Sequence, residues 1–99
     1  MAQLVILSWR DIPSQVIVKA GRTSAKRELT KRFIEAIDRA AMRSGASGTD
    51  DYLAGWRRGD PVPVGDDLEA EASAAAARLE ADYDDARLKR LCDAEGREA

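Results

Sequence analysis

Two segments of the chain combine tryptophan, arginine, aspartate and proline: Trp9-Arg10-Asp11-Ile12-Pro13 and Trp56-Arg57-Arg58-Gly59-Asp60-Pro61. They hold the only two tryptophans present. An arginine beside a tryptophan can stack on the ring or pair with a carboxylate, so Arg10 and Arg57 could bridge Asp60 or Asp11. One reading is packing, with each indole covering the core edge at a strand end and its N–H finding a partner. The other is a binding surface, because Trp and Arg are enriched at interface hot spots. Trp9, Arg10, Trp56, Arg57, Arg58 and Asp60 are therefore the candidate partner-binding residues. The spacing differs between the two segments, so they do not form an internal repeat.

Lys19, Arg22, Lys26, Arg27, Lys31 and Arg32 make the densest basic stretch and are the anion-binding candidates. Residues 19–27 carry hydroxyls and one glycine but lack the GxxxxGK[ST] spacing of a phosphate loop. Nucleic-acid binding is opposed by a pI near 5.1 and by the lack of an aromatic residue within this basic segment. Docking onto an acidic surface, including the chain's own acidic half, fits better. Residues 1–48 carry a net charge of +5 and residues 49–99 a net −7, so folding the halves together would neutralise both.

Enzymatic chemistry finds few residues to use. With no histidine, the commonest general acid–base and metal ligand is missing. The single cysteine, Cys92, cannot form an internal disulfide or a thiolate zinc cluster, and it lies near the end of an acidic helix. Glu80, Asp82, Asp84 and Asp85 fall on a predicted helix, where neighbours point apart, so a solvated acidic face outweighs a calcium or magnesium site. The expectation is a non-enzyme with no cofactor and no metal. No apolar run approaches the roughly 20 residues of a membrane span, and no secretion signal is evident, so a cytoplasmic location is expected.

The elements that position these residues follow from periodicity. Ninety-nine residues at 44% hydrophobic and 34% charged predict one domain over 1–99. Residues 3–9 read as a strand covered on both faces or central in a sheet, 11–15 as a turn, and 16–18 as its hairpin partner. Residues 20–24 read as a loop, and 26–29 as either extended or the start of a helix. A helix is predicted over 30–44, capped by Thr30, with Phe33, Ile37 and Ala41 on its apolar stripe and Gly45 as terminator. A short helix after Thr49 follows. Residues 56–58 then join the sheet edge, since Pro61 and Pro63 exclude a central strand. Asp66 with Glu69 resembles a capping box opening one helix over 66–92, roughly 39 Å long. Its stripe of Leu68, Ala72, Ala75, Leu79 and Ala86 is narrow, and Leu88 and Leu91 fall off it. The tail, 93–99, is expected to fray. The fold class is α+β: a small antiparallel sheet of hairpin plus edge strand, packed by the central helix, with a long C-terminal helix.

Taken together, LVILSWRDIPSQVIV, RFIEAIDRAAMRSG, DDYLAGWRRGDPVPVG and the DLEAEA helix resemble the small bacterial conserved virulence factor domain family over nearly the whole chain. That label records a phenotype and not a chemistry, and it brings no catalytic residues. Members of the family stand alone at about this length or sit beside an iron–sulfur scaffold-type domain and helical repeats. The resemblance implies an accessory protein of one-carbon metabolism, working with a folate- or corrinoid-dependent methyl-transfer enzyme. The expected function is thus an interaction subunit whose partner is another protein, an overlong helix being one surface for it to cover. An anion- or nucleic-acid-binding module built on residues 19–32 is the alternative.

Overall fold

In the computed structural model, residues 2–45 and 49–97 are described. The order is β1 (Ala2–Trp9), β2 (Ile12–Ala20), β3 (Thr23–Glu28), α1 (Lys31–Arg43), α2 (Thr49–Ala54), β4 (Trp56–Arg58), β5 (Val62–Val64), α3 (Leu68–Asp82) and α4 (Asp85–Asp93). This is an α+β fold. The sheet runs β3-β2-β1-β4, with β5 also pairing β1, and every pairing is antiparallel. β1 is central, as its unbroken apolar run requires.

The first hairpin is tighter than the prolines imply. Its loop is Arg10-Asp11, because Trp9 already faces Ile12 across the ladder. Arg10 takes φ 51, the left-handed conformation that a two-residue hairpin loop demands. Residues 11–15 are therefore not a connection: β2 begins at Ile12 and carries Pro13 within it. The register slips between Leu7 and Ser8, whose partners are Gln15 and Pro13. A bulge of this kind is where a strand tolerates the absence of a backbone donor, which proline cannot supply.

Residues 20–24 are likewise a second tight hairpin, with Gly21 at φ 60 and Ala20 facing Thr23. The basic stretch thus contains a strand, β3. Pro61 and Pro63 flank or enter a strand only at the sheet edge, where β5 lies.

α1 forms where the period-3.6 pattern places it. Its buried stripe is Phe33, Ala36, Ile37, Ala40 and Ala41, and Gly45 at φ 75 ends it by bonding back to Met42 O. Thr30 stands at the N-cap, but its side chain makes no cap bond. For α3 the cap is Asp67 rather than Asp66: its carboxylate accepts from Ala70 N at 3.2 Å. Glu69 pairs with Arg27 instead of closing a box.

The long C-terminal helix is two helices. α3 stops at Asp82 because Asp84, in extended conformation, caps a new helix by accepting from Arg87 N at 2.8 Å. The restart rephases the sequence, so Leu88 and Leu91, off the stripe of a continuous helix, become the buried residues of α4. α3 lies on β2 and β3 while α4 packs on α1, so no overlong helix is left uncovered.

Nor do residues 93–97 fray. Glu95 (φ 62) and Gly96 (φ 86) close a Schellman turn, with Glu95 N donating to Cys92 O and Gly96 N to Leu91 O. Residues 98–99 lie outside the described residues.

Two apolar clusters result. Leu4, Val16, Val18 and Ala25 meet Ala72 and Ala75 of α3 on one face of the sheet. At the hairpin tip, Trp9, Ile12 and Leu29 meet Phe33 and Ile37 of α1 and Leu88 and Leu91 of α4. Ala76 and Leu79 touch both clusters.

Candidate interaction cleft

The two Trp-Arg segments are direct neighbours: Trp9 and Trp56 are partners across the β1–β4 ladder, and Ser8 faces Arg57. The two indoles nevertheless differ in role. Trp9 is 0% exposed. Its indole N–H donates to Tyr52 O at 2.8 Å, its ring stacks on Tyr52 at 6.0 Å, and Arg10 lies 4.6 Å over it. Trp56 is half-buried and meets Tyr52 edge-on. Trp9 is core, and the packing reading holds for it.

The arginines fix the turn. Arg10 N donates to Gly55 O, Asp11 N donates to Gly96 O, and the Arg10 guanidinium donates to Glu95 O at 2.6 Å. Arg57 pairs with Asp11 at 2.9 Å and donates through Nε to Arg10 O at 3.0 Å. Of the pairings the sequence offers, Arg57–Asp11 forms, and Arg10 is held by the C-terminal turn. At 64% and 32% exposure this pair contributes little stability; it orients Arg57.

Beside this turn lies a cleft of about 510 Å³. Ile6, Ser8 and Pro13 come from the sheet, Leu79 and Tyr83 from the end of α3, and Asp11, Arg57, Arg58, Gly59 and Asp60 form the rim. Gly59 N donates to Ile6 O at 2.9 Å, holding the 59–61 connection against β1 where β4 gives way to β5. Arg58 and Asp60 are exposed and have no ion-pair partner among the described residues. An apolar floor with charges of both signs on its rim suits recognition of a protein segment. The floor was not legible from the sequence: Leu79 and Tyr83 reach it near the end of α3, and the Asp84 cap with the off-stripe Leu88 and Leu91 were the available signals of that end.

The basic candidates are dispersed. Lys19 and Lys26 are exposed on the sheet, Arg22 sits at the hairpin tip and Lys31 opens α1. Arg27 turns to Glu69 and Ser73 of α3, and Arg32 to Glu80 and Asp85. With Arg43 near Asp93 at 4.0 Å, the basic and acidic halves of the chain face one another.

The acidic cluster at the α3–α4 junction has structural partners for Glu80, Asp84 and Asp85. Glu80 accepts from Thr30 N at 2.7 Å, Thr30 Oγ1 at 2.9 Å and Arg32 at 2.9 Å, so it caps α1 from a distance. Partial burial pushes the Glu80 carboxyl up, but the bonds from Thr30 and Arg32 outweigh it and hold the acid below its usual range. A depressed acid contributes stability that is complete above its unfolded pKa, roughly 4.3, and is lost as pH falls through the folded value. Glu80→Ala is therefore expected to cost about 2 kcal/mol near neutral pH and nearly nothing in acid, read from thermal melts at pH 7 and pH 3. An equal cost at both pH values would contradict this role.

Cys92 donates to Ala36 O at 3.3 Å, and burial pushes its thiol up, only partly offset by Arg39 and Arg43. That is the opposite of an activated thiolate. Among the described residues, no three His, Cys, Asp or Glu side chains group to hold a metal ion, and no helix is long and apolar enough to cross a membrane.

A family model described as "Virulence factor" matches residues 7–92, from within β1 to the last turn of α4. The chain belongs to the virulence factor family. The match takes in both Trp-Arg segments and nearly the whole cleft of this virulence factor domain, leaving out only Ile6 of the floor. No match was found among curated proteins or solved structures.

Proposed function

We propose that this chain is a non-enzymatic accessory subunit that binds another protein through the cleft rimmed by Arg57, Arg58 and Asp60. The observation that carries the reading is the Trp9–Trp56 pairing across β1 and β4, which gathers the separated Trp-Arg segments around one amphipathic cleft. Trp9, buried in the core and not part of the lining, anchors the strand ends that carry the rim; the charges on the rim supply orientation and specificity. The partner class is the one implied by the family resemblance, a folate- or corrinoid-dependent methyl-transfer enzyme, to which the chain would contribute docking and not chemistry.

The test is purification of the tagged chain from its host, with co-eluting proteins identified by mass spectrometry. It is run beside the pair Arg57→Glu with Asp60→Lys, which exchanges rim charges without altering net charge. A co-eluting enzyme retained by the wild type and lost by the pair is expected. Equal retention by both would remove the cleft from the interface. An anion-binding role for the exposed Lys19, Arg22, Lys26 and Lys31 would instead show as binding to nucleic acid that falls steeply with salt.

A further inference from the structure

α3 covers one side of the sheet. On the other side α1 and α4 bury only the hairpin tip, at Trp9 and Ile12, and beyond the tip that side has a composition of its own. In β1 and β2 the side chains alternate, so Leu4 and Ile6, facing Val18 and Val16, point to α3. Val5 and Leu7 point the other way, and Val5 faces Ile17 across the ladder. Among the described residues, Val5, Leu7 and Ile17 belong to neither apolar cluster and pack against neither, and each remains partly exposed. Register extends this outer face sideways. Ile17 is flanked by Lys26, Gln3 by Lys19, Leu7 by Arg58 and Gln15 by Glu28. The result is an apolar strip of three aliphatic side chains bordered by three cations and one carboxylate. Lys19 and Lys26, seventh-residue neighbours in sequence, are brought to one side by the β2–β3 hairpin, while Arg27 between them and α1 turns to α3.

We infer that this outer sheet face, centred on Val5, Leu7 and Ile17 and bordered by Lys19 and Lys26, is a second docking surface, for an acidic protein segment that also carries an apolar side chain. Charge selects the occupant. A second copy of the same face, applied about a twofold axis, would set this cation-rich border against itself. Nucleic acid would meet the cations, but the rings of this parity, Trp9 and Trp56, are engaged by Tyr52 at the hairpin tip, away from Lys19 and Lys26, and the apolar strip would go unused. A segment with Asp or Glu beside Leu, Ile or Val satisfies both parts, its apolar side chain covering Val5 and Ile17 while lysine stems lie along it. The surface is independent of the cleft, since Ile6 and Ser8 there have the opposite parity to Val5 and Leu7. Only Arg58 stands near both, and the test leaves it unchanged.

The full chain, carrying the photo-cross-linking residue p-benzoylphenylalanine in place of Ile17, is irradiated in its host, and the attached segment is sequenced. The same residue in place of Ala77, exposed on α3, is the control. The expected result is a protein segment containing Asp or Glu with an aliphatic residue, at about tenfold the yield of the control. The yield drops severalfold with Lys19→Glu plus Lys26→Glu and is unchanged by Arg57→Glu with Asp60→Lys. Lys19→Gln plus Lys26→Gln, which removes the charges without reversing them, gives the same direction should the reversed pair fold poorly. Attachment to nucleic acid, to a second copy or to a segment without acidic residues overturns the inference. So does a yield equal to the control or indifferent to both lysine pairs. Loss with the cleft pair alone would assign the signal to the cleft and overturn the independence of this face.

Discussion

Trp9→Ala is expected to lower the melting temperature by on the order of 20 °C, leaving the chain largely unfolded at moderate temperature. Removal of a fully buried aromatic costs about 3–5 kcal/mol, through lost burial and the cavity that remains. For a chain of this size the whole stability is about 5–15 kcal/mol, and each kcal/mol moves the midpoint by roughly 4–8 °C. Trp9 also ties β1 to two other pieces of the chain: α2, through the Tyr52 carbonyl and the stack with the Tyr52 ring, and the C-terminal turn seated on its ring. Trp56→Ala removes a half-buried ring from the same neighbourhood and is expected to cost under about 2 kcal/mol. Melts followed by circular dichroism separate the two. Equal losses would mean that the indoles share one role.

Gly96→Ala carries the second large effect. At φ 86 an L side chain is strained, by about 1–2 kcal/mol. A Cβ there would also stand 2.9 Å from Cζ3 of the Trp9 ring and 3.3 Å from Arg10 Cδ. The ring is fully buried and cannot yield cheaply, so overpacking adds about 1–3 kcal/mol. Gly21→Ala is the internal control: its φ of 60 brings comparable strain, but nothing lies within 4 Å of the added carbon. The expected costs are about 3 and about 1 kcal/mol, measured by denaturant titration. A Gly96→Ala variant no weaker than Gly21→Ala would mean that the C-terminal turn is not seated on Trp9.

These two predictions also mark where sequence reasoning succeeds and stops. Where a period repeats over many residues, as in α1, the apolar face follows directly. β1 was legible as central from its unbroken apolar run, and the prolines confined 56–64 to the sheet edge, although only 56–58 was expected to join it and β5 was not. The failures come from local geometry that composition does not encode. Pro13 suggested a turn, while the bulge at Ser14 let it enter a strand and moved the loop to Arg10-Asp11. Alanine-rich continuity hid the break after Asp82, although Leu88 and Leu91 off the stripe and an aspartate in cap position at 84 recorded it. The tail looked frayed because its order depends on a distant ring, Trp9, and long-range docking leaves no periodic trace. For the cleft, the rim residues Arg57, Arg58 and Asp60 were named from their types. Their adjacency to Asp11 needed the β1–β4 register, and the Leu79–Tyr83 wall needed the helix break.

The most direct measurement is the affinity of the purified chain for the enzyme it co-elutes with, by calorimetric titration against wild type and the Arg57→Glu, Asp60→Lys pair. Both proteins should melt within a few degrees of one another, since these side chains are exposed. The cleft account predicts at least about tenfold weaker binding for the pair, roughly 1.4 kcal/mol. Equal affinity in two equally folded proteins would contradict it and remove the Trp-Arg segments from the interface.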